Sequence, residues 1–454
     1  MEKFFKLEEN KTTVKKELIG GITTFLTMAY IIIVNANILS STGMDKGAIV
    51  TVTCITAGLT TIFMGTFANL PFALASGMGL NAYFATICMP IAEGGLGITW
   101  QIALGAVFVE GIIFILLSLF KFREQIANCI PKNMKIATTV GIGLFIAFIG
   151  LKGCRFIVAS KGTMIAMGSV VSAPVIIAFI GILTIVLCHH FNVRGGVLVG
   201  IVISTALAWI YALINPELAT SYGIYLPGGV FAFADPMPIV GKMDLSALKN
   251  PALIGNFVVV LFSFLFVDFF DTIGTLVGVS SKANMLDKDG NVRNGGKALL
   301  VDAVGTTFGA FMGTSTVTTY VESASGVAEG ARTGLAAVVT GVLFLASMVL
   351  SPIFIAIPEC ATAPALIMVG FYMVQNVTKL EMDDFSEAVP AFLTLALMPL
   401  TSSIGDGLTI GLFVYAVLNG ITNIIKRVQG KERKKVSVFI YIIAVLLLLK
   451  FIFL

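Results

Sequence analysis

Residues 70–81 read LPFALASGMGLN, and residues 313–322 read GTSTVTTYVE. In each stretch, Pro, Gly or β-branched residues, which are poor helix formers, come directly before a short segment that can form a helix. Both stretches are therefore predicted to combine extended backbone with a half-helix. The alternative is a seam of small residues along which two unbroken helices pack. One stretch lies in each half of the chain, and the two half-helices, if opposed, are expected to present free N–H groups and positive dipole ends to a polar ligand.

The overall composition indicates a chain that lies largely in lipid. Of its 454 residues, 57% are hydrophobic and only 12% are charged, whereas a soluble domain carries roughly a quarter charged residues. This composition excludes a soluble globule, a disordered chain, a collagen and a disulfide scaffold. At about 20 residues per membrane-spanning helix, the length leaves room for roughly a dozen or more spans.

Apolar runs between charged and Gly/Pro-rich breaks predict an all-α polytopic membrane protein with fourteen spans. Spans three and ten contain the two interrupted stretches. The predicted spans are residues 21–40, 48–69, 72–92, 100–119, 134–151, 170–188, 196–214, 253–279, 298–313, 316–330, 333–350, 361–376, 387–401 and 406–425.

The distribution of basic residues predicts the direction of insertion. Fourteen spans with a cytoplasmic N-terminus place 22 of the 29 Lys and Arg residues in inside segments and six in outside loops, in agreement with the positive-inside rule. Residues 1–16 are polar and charged and lack the short apolar run of a cleavable signal peptide, so the first span is expected to act as its own insertion signal. Residues 426–454 form a basic linker and a last apolar run, which either crosses the membrane or lies against it.

Short matches between the two halves suggest an internal repeat. Residues 63–66 and 311–314 both read FMGT, and residues 130–131 and 357–358 both read IP. Seven spans is an odd number, so two such halves would cross the membrane with opposite polarity, as a 7+7 inverted repeat. Inverted repeats with interrupted helices that meet near the membrane midplane are typical of secondary transporters.

Ionisable residues inside apolar spans are the leading candidates for a functional site. Asp268 and Asp271 lie three apart in the eighth span and so share a helix face, and Glu322 lies in the tenth span. A charge in a membrane is costly, so such residues indicate function by default. Two close carboxylates repel each other, so one is expected to hold a proton near neutral pH and to couple proton movement to transport. The alternative for each residue is a structural hydrogen bond between helices.

Neutral polar residues complete the candidate site, because amides and hydroxyls supply both donors and acceptors. Together with carboxylate acceptors, they suit a flat heterocycle that carries ring N–H or amino groups. The predicted substrate-binding residues are Asp268, Glu322, Asn81, Thr318 and Thr319, and the predicted proton-coupling residues are Asp268, Glu322 and Asp271.

The remaining composition predicts neither a metal nor a cofactor. Six cysteines are scattered without a CxxC pair, and His189 and His190 are the only histidines. The net charge of +4 is spread along the chain, so no nucleic-acid partner is expected.

Five segments of the chain resemble one transporter family. They read GGITTFLTMAY at 20–30, GMGLNAYF at 77–84, DFFDTIG at 268–274, GTSTVTTYVESASG at 313–326 and IPECATAPAL at 357–366. On these residues the chain resembles the AzgA-like adenine/guanine/hypoxanthine permeases, a branch of the nucleobase/ascorbate transporters that have the uracil permease fold. The likeness covers nearly the whole chain. Residues 35 and 36 are Asn and Ala, where the family usually has Asn-Pro. The proline that would kink the first span is therefore missing from this chain.

The resemblance implies proton symport of purine nucleobases across the cell membrane, with a homodimer formed through the gate domains. Glu322 and Asp268 match the family's acidic substrate-binding pair, Asp271 matches the second acidic residue of the eighth span, and Asn81 matches the third-span Asn. The implied divisions are a cytoplasmic N-terminus at 1–20, core-domain spans at 21–120 and 253–350, gate-domain spans at 130–214 and 357–425, an external loop at 215–252 and a C-terminal segment at 426–454.

Other functions stay open as alternatives. A transporter of the same fold for uracil, xanthine or a small anion is the nearest, although Asp268 and Glu322 would repel an anion at short range. A membrane-embedded enzyme is disfavoured, since Gly405-Asp406 supplies only half of a GxGD pattern and Asp268 and Asp271 lack the second motif of a prenyl transferase. A channel is also disfavoured, because broken spans in an inverted repeat suit alternating access.

Overall fold

The computed structural model describes residues 2–91, 95–119, 131–160, 162–191, 193, 195–251, 253–282, 285, 292–430, 436–438, 440, 441 and 444. The helices of the first half are α1 Glu2–Phe5, α2 Val14–Met28, α3 Tyr30–Ser40, α4 Lys46–Phe63, α5 Met78–Cys88, α6 Trp100–Leu119, α7 Lys132–Gly153, α8 Ala173–His190, α9 Gly196–Ile214 and α10 Pro216–Ser221. Those of the second half are α11 Ile254–Lys282, α12 Gly295–Met312, α13 Ser323–Ala328, α14 Gly334–Ala346, α15 Ser351–Ala356, α16 Glu359–Val374, α17 Phe385–Leu400 and α18 Ile404–Val428. The strands are β1 Leu74–Ser76, β2 Ile157–Ser160, β3 Met164–Met167 and β4 Val317–Thr319.

The helices are long and apolar, as a multi-pass membrane protein requires. Each of the fourteen predicted segments contains a helix. Within the described residues, eight helical segments are long and apolar enough to cross a membrane, and shorter apolar helices accompany them. Parts of the predicted basic loops, residues 121–130, 286–291 and 431–435, and most of the last apolar run lie outside the described residues.

The first span is a 27-residue apolar segment, Val14–Ser40, built from α2 and α3. The two helices meet at Ala29, and α3 then continues without interruption through Asn35 and Ala36. The position at which the family usually has proline is therefore regular helix in this chain. The Asn35 side chain is buried, which places an amide deep within the fold.

The two interrupted stretches lie against each other. Strand β1 pairs with β4 in antiparallel register, with Leu74 opposite Thr319 and Ser76 opposite Val317. Helix α5 follows β1 and helix α13 follows β4, so both stretches join a strand to a helix. Gly77 fits closely at this crossing, because a Cβ at that position would lie 2.9 Å from Thr318 Cγ2, which would have to shift.

The helices pack as two groups. In one group α14 packs on α2 and α4, and α6 packs on α11 and α12. In the other, α7 packs on α16 and α17, α17 packs on α18, and α8 packs on α9 and α16. Contacts between the groups include α5 with α7, where a Cβ on Gly79 would lie 2.8 Å from Ile142 Cγ2. Helix α11 also contacts both α7 and α18.

Helix α14 is fixed at its start by a carboxylate from α2. The buried Glu17 side chain accepts backbone N–H groups from Arg332 at 2.8 Å, Thr333 at 3.3 Å and Ala336 at 3.2 Å. A negative charge at a helix N-terminus satisfies free N–H groups and complements the helix dipole. This contact joins the beginning of the chain to the second half.

Candidate functional site

The predicted site residues lie on four elements that meet at the strand crossing. Asn81 is in the first turn of α5, Thr318 and Thr319 are in β4, and Glu322 directly precedes α13. Asp268 and Asp271 lie on α11, which contacts both β4 and α13. Asn81, Asp268 and the two threonines are buried, and Glu322 and Asp271 are half-buried.

One oxygen of Glu322 is held by a tyrosine, and the other is available. The hydroxyl of Tyr30, fully buried on α3, donates to Glu322 Oε1 at 2.5 Å. The Thr27 hydroxyl, near the end of α2, and the Ser325 hydroxyl of α13 lie 2.8 Å apart and form a second contact beside it. Glu322 Oε2 is buried, and no group among the described residues forms a hydrogen bond with it. The carboxylate is therefore oriented and keeps one free acceptor.

The Asn81 amide is also held at one atom, but the atom that it leaves without a partner is a donor, whereas that of Glu322 is an acceptor. Its Oδ1 accepts hydrogen bonds from the hydroxyls of Ser76, at 2.7 Å, and Ser315. Its Nδ2 is buried and meets no acceptor in the part of the chain that the structure describes. Because an unsatisfied buried donor costs stability, this N–H₂ group is suited to receive a ligand atom. Thr319 Oγ1 is a third buried group without a hydrogen-bond partner among the described residues.

Asp268 belongs to a buried network centred on a threonine hydroxyl. Thr272 Oγ1 lies 2.9 Å from Asp302 Oδ1, 3.3 Å from Asp268 Oδ1 and 2.8 Å from Thr318 Oγ1. A hydroxyl has a single hydrogen to donate. If Thr318 donates to Thr272, the Thr272 hydroxyl can donate its hydrogen to either Asp302 or Asp268, but not to both. The carboxyl group that does not receive this hydrogen can bond to the Thr272 oxygen only if it is protonated and acts as the donor. The arrangement therefore suits a pair of carboxyl groups that share a proton.

Asp271 faces a different set of acidic groups. Its carboxylate lies close enough to those of Asp302 and Glu322 to interact with both electrostatically. The Asp302 side chain, on α12, is fully buried and lies 2.9 Å from the Thr272 hydroxyl. The two aspartates of α11 are thus connected to the carboxylates of Asp302 and Glu322.

Several polar residues of the site were not identified from the sequence. Tyr30, Ser76, Ser315 and Thr272 carry hydroxyls that are common in membrane spans, and their role depends on partners far along the chain. Glu110 is different, because it is an ionisable residue in an apolar helix, α6, and the rule that identified Asp268 applies to it equally. It is fully buried, and Thr316 Oγ1 lies 3.4 Å from its Oε2.

A cavity of about 550 Å³ lies elsewhere in the molecule. Lys46, Tyr225, Phe233, Ser351 and Ile357 contribute to its lining, and no residue of the predicted site does. The candidate site is thus defined by buried polar atoms at the strand crossing, and this cavity is separate from it.

Long apolar helices around a buried polar site at two crossed strand–helix elements define a multi-pass membrane protein with the architecture of a transporter. Solved structures share this fold. The transmembrane domain of a cyanobacterium bicarbonate transporter, BicA, matches with a TM-score of 0.62 and 14% identity over 87% of this chain and 97% of that one. The murine anion transporter Slc26a9 matches with a TM-score of 0.62 and 13% identity over 90% of this chain and 68% of that one.

Sequence comparison gives the family. A model described as "Permease family" (Xan_ur_permease) matches residues 15–410, and the chain therefore belongs to this permease family. Putative permease MJ0326 from Methanocaldococcus jannaschii is 44% identical over 100% of this chain and 98% of its own length. Adenine permease AdeQ from Escherichia coli K12 is 42% identical over 93% of this chain and 91% of its own length. Guanine/hypoxanthine permease PbuG from Bacillus subtilis 168 is 40% identical over 100% of both chains.

Proposed function

We propose that this permease imports purine nucleobases, namely adenine, guanine and/or hypoxanthine, by proton symport. The observation that carries the proposal is the set of three buried groups with free hydrogen-bonding capacity at the strand crossing. Asn81 Nδ2 is a donor, Glu322 Oε2 is an acceptor, and the Thr319 hydroxyl can serve as either. A purine presents ring nitrogens and exocyclic groups of both kinds along one flat edge, and these match the donor and acceptor types of the three groups.

The relatives favour purines over other ligands of this fold. Their names describe adenine permeases and guanine/hypoxanthine permeases, at about 40% identity over nearly full length. The anion transporters that share the fold are only 13–14% identical, so they bear on architecture alone. Buried carboxylates at the crossing argue against an anion in this chain, because like charges repel strongly where the dielectric is low.

Proton coupling is supported by the acidic network. Asp268 and Asp302 flank one hydroxyl in a way that suits a shared proton, and Asp271 lies within electrostatic reach of Glu322. A proton bound here would reduce the repulsion among the carboxylates, so proton binding and substrate binding at Glu322 would assist each other. Reciprocal assistance of this kind is what symport requires.

Transport would proceed by movement of a core domain against a gate domain, with the site between them. The two packing groups of helices support a division into a core at 21–120 and 253–350 and a gate at 130–214 and 357–425. The paired strands, one from each half, suit a 7+7 inverted repeat of fourteen spans whose third and tenth spans meet at the midplane. The surplus of basic residues on one predicted side supports insertion in the cell membrane with the N-terminus in the cytoplasm. We further propose that two copies of the permease form a homodimer through their gate domains.

Ligand-dependent stability of the purified permease tests the proposal. Adenine, guanine and hypoxanthine are added separately, and thermal unfolding is recorded for the wild type, for Glu322→Gln and for the exposed control Glu217→Gln. At least one purine should stabilise the wild type and the control, because a ligand that binds only the folded state raises its stability. Glu322→Gln should lose that stabilisation. Stabilisation by bicarbonate or sulfate, with none by any purine, would instead favour an anion transporter.

A further inference from the structure

We propose that Glu110, on α6, binds a proton in each transport cycle and is one of the proton-coupling residues of the permease. The inference rests on the proposed function and deepens it, because it adds to the acidic network a carboxyl group from a helix that carries none of the predicted substrate-binding residues. Its connection to the substrate site is the hydroxyl of Thr316, directly before strand β4.

Glu110 lies in the middle of a strongly apolar helix. Of the eight helical segments in the described residues that are long enough to cross a membrane, α6 is the most apolar. Glu110 is the only charged residue among its 20 and lies near its centre. The side chain is fully buried. A carboxylate at that depth is costly as a free charge, so binding a proton there lowers the cost.

The helices that pack on α6 place acidic groups, and not basic ones, within their length. Helix α6 packs on α12, α11 and α5, and α5 has no charged residue. The basic residues of α12 and α11 are Lys297, in the first turn of α12, and Lys282, the last residue of α11. Carboxyl groups lie further inside these two helices, at Asp302, Asp268 and Asp271, and Asp244 lies in the loop beside the first turn of α6. Carboxylates in one group of packed helices repel each other where the dielectric is low, and protons relieve that repulsion.

Thr316 connects Glu110 to the strand crossing. Its buried hydroxyl lies 3.4 Å from Glu110 Oε2, and its carbonyl oxygen accepts the backbone N–H of Gly77 at 3.0 Å. The residue before it, Ser315, donates to Asn81 Oδ1. A change at Glu110 therefore acts on backbone that is bonded to the start of α5 and on the neighbour of a residue that holds Asn81.

The same side of the chain at β4 leads to the aspartates. Thr316 and Thr318 are two residues apart in a segment that pairs with β1, so their side chains lie on one side of it. The Thr318 hydroxyl lies 2.8 Å from that of Thr272, which contacts Asp302 and Asp268. One threonine thus reaches the carboxyl group of α6 and the other reaches the aspartate network.

Proton binding at Glu110 changes this connection. A proton from water outside converts the Glu110 carboxylate to a neutral carboxyl group, and its release to the cytoplasm restores the carboxylate. The carboxylate can only accept the Thr316 hydroxyl, whereas the protonated carboxyl can donate to Thr316 Oγ1. Because a proton at Glu110 and a purine at Asn81 act on the same crossing, each is expected to strengthen the binding of the other.

The pH dependence of purine binding tests this role. Labelled adenine, guanine and hypoxanthine are bound to the purified wild type, to Glu110→Gln and to the exposed control Glu217→Gln. Glutamine keeps an acceptor for the Thr316 hydroxyl and has the shape of the neutral carboxyl group, but it cannot exchange a proton.

The wild-type Kd should rise at least about tenfold between about pH 6 and about pH 9, because a proton that assists binding is lost. Glu110→Gln should bind within about threefold of the wild type at the acidic end, and its rise over the range should be at least about threefold smaller. Glu217→Gln should follow the wild type.

A second pair of variants removes the contact and keeps the carboxyl group. Thr316→Val deletes the hydroxyl that donates to the ionised carboxylate, so the proton should stay bound to a higher pH and purine binding should weaken at a higher pH than in the wild type. Thr316→Ser keeps the hydroxyl and should follow the wild type. This pair provides the test if Glu110→Gln does not fold.

The outcomes separate this inference from the function on which it rests. If the wild-type Kd depends on pH and Glu110→Gln shows the same rise, Glu110 does not bind the coupled proton, and the proposed function stands. An equal loss of binding at every pH in Glu110→Gln and Thr316→Val would leave Glu110 a structural role alone and would also overturn the inference. If the wild type binds none of the three bases, the proposed function is wrong and this inference falls with it.

Discussion

At the scale of single residues, the site depends on groups that are held at one atom and free at another. Glu322 is bonded through Oε1 to Tyr30, and Asn81 is bonded through Oδ1 to Ser76 and Ser315. Each side chain is thereby oriented before a substrate arrives, so less conformational entropy is lost on binding. Glu322 Oε2 and Asn81 Nδ2 remain as one acceptor and one donor that have no hydrogen-bond partner among the described residues.

Tyr30→Phe should weaken purine binding without preventing folding. Phenylalanine keeps the ring in its buried position but removes the hydroxyl that donates to Glu322 at 2.5 Å. The carboxylate then loses its fixed orientation, and we expect the KM for the imported purine to rise roughly tenfold. Uptake kinetics measure the effect, and Tyr211→Phe, a half-buried tyrosine on α9, serves as the control. An unchanged KM would show that Tyr30 does not orient Glu322.

Asp302→Asn should separate substrate exchange from proton-driven accumulation. An asparagine amide can donate to Thr272 as a protonated carboxyl would, so the buried network is retained while the proton can no longer leave. We expect accumulation driven by a pH gradient to fall at least about tenfold, while exchange of labelled for unlabelled purine continues. Undiminished gradient-driven accumulation in this variant would exclude Asp302 from the proton pathway.

Sequence reasoning at this scale succeeds where the residue type is itself unusual in its surroundings. Asp268 and Glu322 could be identified because carboxylates are rare in apolar spans. Tyr30 and Ser315 could not, because hydroxyls are ordinary there and the partner of each lies in the other half of the chain. Glu110 could have been found by the same rule as Asp268.

At the scale of elements, the crossed strands bring the two halves of the chain to one place. The sequence indicated extended backbone followed by a half-helix at both stretches, because Pro, Gly and β-branched residues cluster there. It did not indicate the register of β1 with β4, which depends on long-range packing such as the close approach at Gly77. The second half-helix is also shorter than expected, at six residues, Ser323–Ala328. A helix of six residues has few aligned peptide units, so its dipole is weak. We therefore attribute the polar character of this part of the site to the Glu322 carboxylate.

The Glu17 cap of α14 should contribute measurably to stability. Its carboxylate accepts three backbone N–H groups and is fully buried, and Glu17→Ala leaves all three without that acceptor. We expect a loss of about 2–3 kcal/mol, seen as a lower unfolding temperature of the purified protein. Glu9→Ala removes an exposed carboxylate that pairs with the exposed Lys6 at 3.2 Å, and it should change the unfolding temperature little. Equal effects of the two substitutions would contradict this role for Glu17.

At the scale of the whole molecule, the proposed mechanism depends on two groups of helices that move relative to each other. The contacts between them include α5 with α7, α11 with α7 and α18, α3 with α16, and α2 with α9. Helices α5 and α11 also carry Asn81, Asp268 and Asp271, so a movement between the groups directly changes the surroundings of the site. The composition predicted a multi-pass membrane protein because lipid must solvate so apolar a chain. The grouping of helices was suggested only by the resemblance, because helix packing partners are not encoded in local patterns.

Purine uptake by purified permease in liposomes, with and without an imposed pH gradient, tests the central claim most directly. Labelled adenine, guanine and hypoxanthine are supplied outside, and the internal pH is set equal to or higher than the external pH. We predict that at least one base accumulates above its external concentration only when the outside is more acidic, and that a protonophore abolishes the accumulation. Saturable purine entry that is the same with and without the gradient would contradict proton symport. Entry of none of the three bases would contradict purine transport itself.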